Sequence, residues 1–407
     1  MLVIGAGAAG LMCAYKASLD GARVTVLERN EKAGKKIYIT GKGRCNVTNA
    51  CSVEKFFDNV CSNPKFLYGA IHTFSSKDLM SLLNSLGLKL KVERGERVFP
   101  ESDKASDVTN CLYKACLNNG VIFQFNTTVL NTKHNGKNFE VSTDKGLFVD
   151  DSLVIAVGGK SYSVTGSKGD GYAFAKSFGH SIIEPVAALS AILADNTKPL
   201  AGLSLKNVTA TVYENGKKIY SEFGEMLFTH QGISGPIILT LSSLINRKDF
   251  DRLSFEIDLK PALDDKKLSD RLLRDFAENK NKQICNVLGL LMPKALIEYV
   301  LRESKISGDK QVNSITKEER NRLVGAVKHL TFKIQGLYPI DEAIVTAGGV
   351  SVKEINPKTM ESRLCKGLYF AGEVLDVDCF TGGFNLQTAF STGFIAGMYG
   401  AKNIQKE

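Results

Sequence analysis

After the apolar pair Val3 and Ile4 the chain reads Gly5-Ala6-Gly7-Ala8-Ala9-Gly10 and passes directly into LMCAYKASLDG, whose apolar spacing is helical and which stops at Gly21. A second apolar run, RVTVLE, follows and closes on Glu28. Few folds accept glycines at this spacing between a strand and a helix. The first permits a tight turn, the second lets a ligand approach the main chain, and the third lets helix and strand pack closely. The helix start then offers unpaired N–H groups and the positive end of its dipole to an anion. An acid about 20 residues on can accept hydrogen bonds from a ribose diol. A glycine-rich turn alone would need none of the rest. Strand, glycines, helix, strand and acid together predict a dinucleotide site at Gly5, Gly7, Ala8, Ala9, Gly10 and Glu28, with Arg29 beside it, in an α/β fold.

The segment that follows narrows the ligand. A nicotinamide fold would continue with another plain strand and helix, but Glu28 leads into RNEKAGKKIYITGKGRCNVTN, where Lys32, Lys35, Lys36, Lys42 and Arg44 concentrate positive charge. Gly41 and Gly43 free the backbone to approach a ligand, and Arg44 offers a fork of donors to a phosphate or a flavin carbonyl. Asn46, Thr48 and Asn49 add short polar groups, although a solvated turn would use the same residues. Cys45 and Cys51 are too far apart for a metal knuckle and lie outside the tighter spacing of redox dithiols.

Composition excludes several classes. The 407 residues, 43% hydrophobic and 23% charged, can bury a core and fill more than one domain. No apolar run approaches the roughly 18 residues needed to cross a bilayer, and the first residues lack the pattern of a secretory signal, so a cytoplasmic location is the expectation. Nine cysteines with no CxxC pair signal neither a disulfide framework nor a zinc site. A net charge of +9 suits an anionic ligand or nucleic acid without requiring either.

The far end of the chain repeats the theme. AIVTAGGV reads as a strand running into a glycine turn, and GLYFAGEV as another ending at Gly372-Glu373. Gly382-Gly383 then precede a helix from about Asn385. Glu373 falls at the carboxyl end of a strand, where ligands of open α/β sheets bind, and a carboxylate there can hold a ribitol hydroxyl. The helix start would face a flavin's pyrimidine edge, which becomes anionic on reduction.

The motifs GAGAAG, TGKGRCNVTN, GEMLFTHQGISGP, EAIVTAGGV, EINPKTMES and GLYFAGEVLDVDCFTGGFN, spread from residue 1 to beyond 390, resemble the bacterial YhiN/BaiN-like flavoproteins, a family that includes aminoacetone oxidase. The resemblance implies a glutathione-reductase-type, Rossmann-like FAD domain with inserted β-barrel-like and helical domains. It implies flavin contacts from Thr40, Gly41, Gly43, Arg44, Cys45 and Asn46, and ribitol and isoalloxazine contacts from Gly372, Glu373, Asp376, Gly383, Asn385 and Leu386. Lys36, Val129, Gly158 and Gly159 complete the expected cofactor set. Two positions depart from the pattern: Cys379 stands where glycine is expected, and Phe384 where tyrosine is common.

Between the ends, LVIAVGG supplies a strand with its glycine turn, and SVTGSKGDGYAFAKSFGH a glycine-rich loop and a short helix. From Leu189 the texture turns to β-branched alternation with an Asn215-Gly216 hairpin signal, and after residue 258 to charged helix. The expected domains are 1–188 with 341–407 for FAD, 189–258 with 329–340 for the inserted β domain, and 259–328 for the helical domain. No catalytic residue is assigned. His230 in FTHQGISGP is a candidate to reach substrate, although a lone histidine is more often structural. Tyr38 and Tyr172 are proton-donor candidates without a spacing argument, and Cys45 more readily packs than reacts.

These readings predict a soluble FAD-dependent oxidoreductase reduced by NAD(P)H. With no second GxGxxG, the nicotinamide would visit only transiently. The resemblance offers two small-molecule chemistries, reduction of carbon–carbon double bonds in 3-oxo bile-acid steroids, ranked first, and oxygen-dependent oxidation of an aminoketone. An RNA-modifying enzyme ranks lower, because the lysines are spread rather than clustered and nucleic acid is therefore not expected as a partner, and a non-catalytic FAD-binding protein stands as a third alternative. Oligomeric state is not readable.

Overall fold

The computed structural model describes residues 1–404, in two compact units: residues 1–188 with those from Pro339 onward, and Leu189–Tyr338.

The first unit is built on a five-stranded parallel sheet in the order Leu368–Phe370, Leu153–Ile155, Leu2–Ile4, Thr25–Leu27, Ile122–Gln124. The three strands Leu2–Ile4, Leu153–Ile155 and Leu368–Phe370 are buried at every residue. That is why they read as uninterrupted apolar triplets rather than as an alternation. Successive strands run outward from the first on one side and then resume on its other side, so the order reverses between Leu2–Ile4 and Leu153–Ile155. Ligands of open α/β sheets bind outside the carboxyl ends of the strands at this reversal. The residues just past those ends are Gly5–Gly7 and Ala156–Gly159.

The helix Ala8–Leu19 packs along the C-terminal helix Phe384–Ile404. Glycines one turn apart make this approach possible: a Cβ on Gly393 would lie 2.3 Å from the Ala9 carbonyl oxygen, and one on Gly397 2.4 Å from that of Cys13.

The segment AIVTAGGV differs from its sequence reading. Its strand, Val345–Val350, runs through both glycines and pairs antiparallel with Ile182–Ala188, apart from the parallel sheet. The glycines serve contact rather than reversal, since a Cβ on Gly349 would sit 2.5 Å from the Val374 carbonyl oxygen.

The second unit carries a seven-stranded antiparallel sheet. Its longest hairpin, Ser204–Glu214 with Lys217–Phe228, turns at Asn215 (φ 51°) and Gly216 (φ 77°), both left-handed as a type I′ turn requires. Helices Asp265–Glu278, Lys294–Ser304 and Lys317–Lys328 bury Leu272, Leu296 and Leu323 in one apolar cluster with Phe255 and Phe332 of the sheet. The last begins with a capping box, Thr316 with Glu319. Among the described residues no helix is long and apolar enough to cross a membrane.

Candidate functional site

The first glycine turn is explained position by position. Gly5 has φ +98°, and a Cβ there would lie 2.6 Å from the Ala156 carbonyl oxygen. At Gly10 the added atom would lie 1.8 Å from the Gly5 oxygen, an impossible contact that keeps helix and turn together. Gly7 is the opposite case: nothing stands within 4 Å of its Cβ position, so its face is open to a ligand. It caps Ala8–Leu19 without any side-chain hydrogen bond, which leaves the first N–H groups of that helix free of side-chain partners.

Glu28 is 8% exposed and ties the second strand to this turn. Its carboxylate accepts the Ala6 N–H at 2.8 Å, the Asn30 N–H at 2.8 Å and the Asn30 side-chain amide at 2.7 Å. Arg29 pairs with Asp170 at 2.5 Å and donates to the Gly166 carbonyl. The Thr127 N–H donates to the Glu28 carbonyl at 2.9 Å, and Val129, two residues on, is buried and starts the strand Val129–His134. A cleft of about 820 Å³ opens here, lined by Arg29, Asn30, Thr128, Ser163, Val164 and Lys168.

Across the reversal point, residues far apart in sequence converge. Lys36 Nζ lies 2.7 Å from Glu373 Oε2 and donates to Ser161 Oγ at 2.8 Å. Glu373 Oε1 also accepts the Ser161 hydroxyl at 2.9 Å and the Thr346 N–H at 2.8 Å. Burial works against a charge on Glu373, but the Lys36 ammonium and these hydrogen bonds outweigh it and hold the carboxyl below its ordinary range. Space around it is tight. A Cβ on Gly159 would meet Thr346 Oγ1 at 2.4 Å and Glu373 Oε1 at 2.9 Å, while Gly158 takes φ +77° to enter the turn. Gly372 (φ +78°) abuts Ala9, where an added Cβ would be 2.8 Å from the alanine methyl, and its N–H donates to Thr392 Oγ1. Ser161 and Thr346 were not singled out from the sequence, and no spacing rule would have found them.

The stretch Thr40–Asn49 opens with a turn that is largely left-handed and ends in the short strand Thr48–Asn49. Gly41 and Lys42 both have φ +58°, Gly43 has +86°, and Cys45, after a right-handed Arg44, has +60°. The Arg44 guanidinium, expected at a ligand, donates to Asp103 from Nε at 2.8 Å, bonds to Glu93, and lies 4.2 Å over the Phe99 ring. Cys45 is fully buried, and burial pushes its thiol up to about 12, which suits packing and not nucleophilic attack. Asn46 Oδ1 is buried with no hydrogen-bond partner among the described residues.

The end of this loop is clamped to the C-terminal turn. Thr48 Oγ1 donates to Gln387 at 2.6 Å, Asn49 Nδ2 donates to the Gly382 carbonyl at 3.1 Å, and Gly383 (φ +100°) approaches so closely that a Cβ would lie 2.4 Å from the Thr48 oxygen. Asn385 accepts the Cys379 N–H at 2.9 Å and donates to the Cys379 carbonyl at 2.7 Å, so its amide holds this turn. Cys379, the departure noted in the sequence, is fully buried with its thiol pushed up to about 12. Leu386 is partly buried against the apolar core, and Asp376 accepts from Asn63 at 2.9 Å.

The histidines fall elsewhere. His230 is exposed in the second unit. His180 is buried between Glu354 (3.2 Å) and Ser362 (2.8 Å), an arrangement with the outline of a catalytic triad. Ser362 Oγ, however, is buried and already accepts the Leu364 and Cys365 N–H groups, so the network fastens loops together.

These residues fit an FAD. The face at Gly7 is open, the helix behind it lacks a side-chain cap, an acid stands at the second strand end, and Asn46 keeps a buried acceptor unmet. Comparison with known proteins agrees with this reading of the fold. The family model described as HI0933-like protein Rossmann domain matches residues 1–399. The 3-dehydro-bile acid delta(4,6)-reductase of Clostridium scindens is 31% identical over 405 residues, 98% of each chain. The ribosomal RNA dihydrouridine synthases of Escherichia coli and Haemophilus influenzae are 30% and 32% identical, each covering 97% of this chain and 96% of its own. Among solved structures, 3-ketosteroid delta1-dehydrogenase from Sterolibacterium denitrificans shares the fold with a TM-score of 0.53 at 12% identity, over 99% of both chains.

Proposed function

The chain belongs to the HI0933-like Rossmann family, and from that premise we propose that it is an FAD-dependent oxidoreductase that saturates a carbon–carbon double bond conjugated to a carbonyl. The observation that carries the proposal is the convergence at the parallel-sheet reversal, where Lys36 from the N-terminal arm and Glu373 from the last parallel strand pair at 2.7 Å beside the open glycine turn. The bound flavin supplies hydride transfer. The protein's part is to hold and tune it. The N–H groups at Ala8–Gly10 would take the diphosphate and Glu28 a ribose diol. The start of the helix Phe384–Ile404 would stabilise negative charge on the pyrimidine edge.

The names of the similar proteins describe one chemistry on two scaffolds. Reducing a uracil to dihydrouracil and reducing a 3-oxo steroid diene both saturate a double bond in conjugation with a carbonyl. A uracil base of an RNA is the substrate we favour. The net charge of +9 suits a polyanion, and dihydrouridine synthases from two bacteria match nearly end to end. This reverses the ranking drawn from the sequence. The steroid reading stays second on the strength of the 31% identical bile-acid reductase.

An anaerobic experiment tests both. The flavin-loaded protein is mixed with NADH or NADPH, then with ribosomal RNA lacking dihydrouridine or with a 3-oxo-4,6-diene bile acid. Bleaching by a nicotinamide, followed by RNA-dependent return of colour and dihydrouridine in the digested RNA, is the expected result. No bleaching by either nicotinamide defeats the reductase reading. Bleaching of the flavin by an aminoketone without nicotinamide, followed by turnover on admission of oxygen, makes the protein an oxidase.

A further inference from the structure

Tyr172 has a buried hydroxyl that nothing in the described protein engages. The residue is 8% exposed, and its oxygen has no hydrogen-bond partner among the described residues. It stands in the first turn of the helix Asp170–Ser177, at the end of the glycine-rich loop that begins at Gly158. Gly169 brings that loop against its ring, so that a Cβ there would lie 3.4 Å from the Tyr172 ring carbon Cδ2.

A phenylalanine would fill the same space without a polar atom to satisfy. A buried hydroxyl left unbonded is costly, so this one calls for a partner outside the protein, a water or a ligand atom. Two acids act on it, Glu373 and Asp376, both among the residues expected around the flavin. Burial first, then these two carboxylates, push the phenol well above its ordinary range and keep it protonated. A group in that state is a hydrogen-bond donor and neither a base nor a nucleophile.

We propose that Tyr172 is a cofactor-binding residue whose hydroxyl donates a hydrogen bond to an acceptor atom of bound FAD. This rests on the flavin reading above. The unmet hydroxyl also gives the assignment an unusual signature, because its removal acts with opposite sign on the empty and the loaded protein. Without flavin, Tyr172→Phe removes an unsatisfied polar atom and leaves stability unchanged or raised. With flavin, it removes a bond.

The test uses protein stripped of flavin and titrated with FAD, followed by flavin fluorescence, alongside thermal unfolding of both forms. For Tyr172→Phe the expected result is a stripped-protein Tm equal to or above that of the wild type, with a Kd for FAD about tenfold weaker, the effect of one hydrogen bond. The gain in Tm on adding FAD should be correspondingly smaller. A wild type that binds FAD and a Tyr172→Phe variant with Kd within twofold of it overturn the assignment alone. An unchanged Kd with a raised KM for the organic substrate also overturns it and moves the hydroxyl to the substrate. A wild type that takes up no FAD overturns the flavin reading and this assignment with it.

Discussion

The two glycine-bearing loops of the first unit solve different problems. In Gly5–Gly10, every strained or crowded position is a glycine: Gly5 carries the positive φ, Gly10 the close contact, and Gly7 the open face. In Thr40–Cys45, two side-chain-bearing residues, Lys42 and Cys45, also take positive φ. Left-handed backbone costs such residues roughly 1–2 kcal/mol each. The first loop is a minimal solution to packing. The second places positive φ on two residues with side chains, the fully buried Cys45 and the exposed Lys42, next to a buried Asn46 acceptor with no partner among the described residues.

The sharpest way to break this comparison is within the first loop. Gly10→Ala should cost about 3 kcal/mol or more, or prevent folding, because the Gly5 carbonyl cannot move without the sheet. Gly7→Ala, in open space and extended backbone, should alter stability by less than about 0.5 kcal/mol while weakening FAD binding about tenfold. Urea unfolding and flavin titration separate the two; equal stability losses would erase the distinction drawn between them.

Glu373→Gln comes next, because its partner Lys36 lies in the helix Lys35–Ile39 that leads into the second loop and its neighbour Gly372 abuts Ala9 of the first. Leaving the largely buried Lys36 ammonium without its counter-charge should cost roughly 2 kcal/mol at neutral pH. The sign of its pH dependence follows from the depressed carboxyl: the contribution is complete above the ordinary carboxylate range, about 4.3, and is lost as pH falls through the lowered folded value. Unfolding midpoints of the variant should therefore decline less on acidification than those of the wild type.

Lys42→Gly should act in the other direction. Relief of the left-handed lysine gains roughly 0.5–1 kcal/mol after the extra entropy of an unfolded glycine is subtracted, seen as a higher urea midpoint. A loss of stability would mean that the exposed lysine makes a contact worth more than its strain.

The smallest effect belongs to a control outside both loops. His180 is buried and its pKa is lowered by burial, in spite of Glu354 beside it. The unfolded chain therefore binds the proton more readily, and stability declines as pH drops below about 6.5 toward the folded value. His180→Gln should flatten the unfolding profile over that range and leave FAD affinity alone.

The site was legible where it is local. Gly5, Gly7, Gly10 and Glu28 follow from a strand, a helix and a spacing, because the turn's steric demands involve near neighbours. The Lys36–Glu373 pair spans 337 positions, and its supports Ser161 and Thr346 come from separate loops that no local pattern links. Arg44 shows the reverse case. Its charge and its glycine neighbours marked it for a ligand, but Glu93 and Asp103, brought in by another hairpin and a loop, occupy its donors. Gly348 and Gly349 looked like a turn because glycine serves turns and close contacts alike; only the neighbouring backbone at Val374 tells which.

The sequence alone determined the class of fold and the dinucleotide turn, since both rest on periodicity and on backbone conformations that only glycine adopts without cost. The tertiary structure alone decided which charges are paired, which thiols are inert and which hydroxyl is left wanting a partner. Those properties depend on burial and on groups hundreds of residues away, and a chain read in order contains neither.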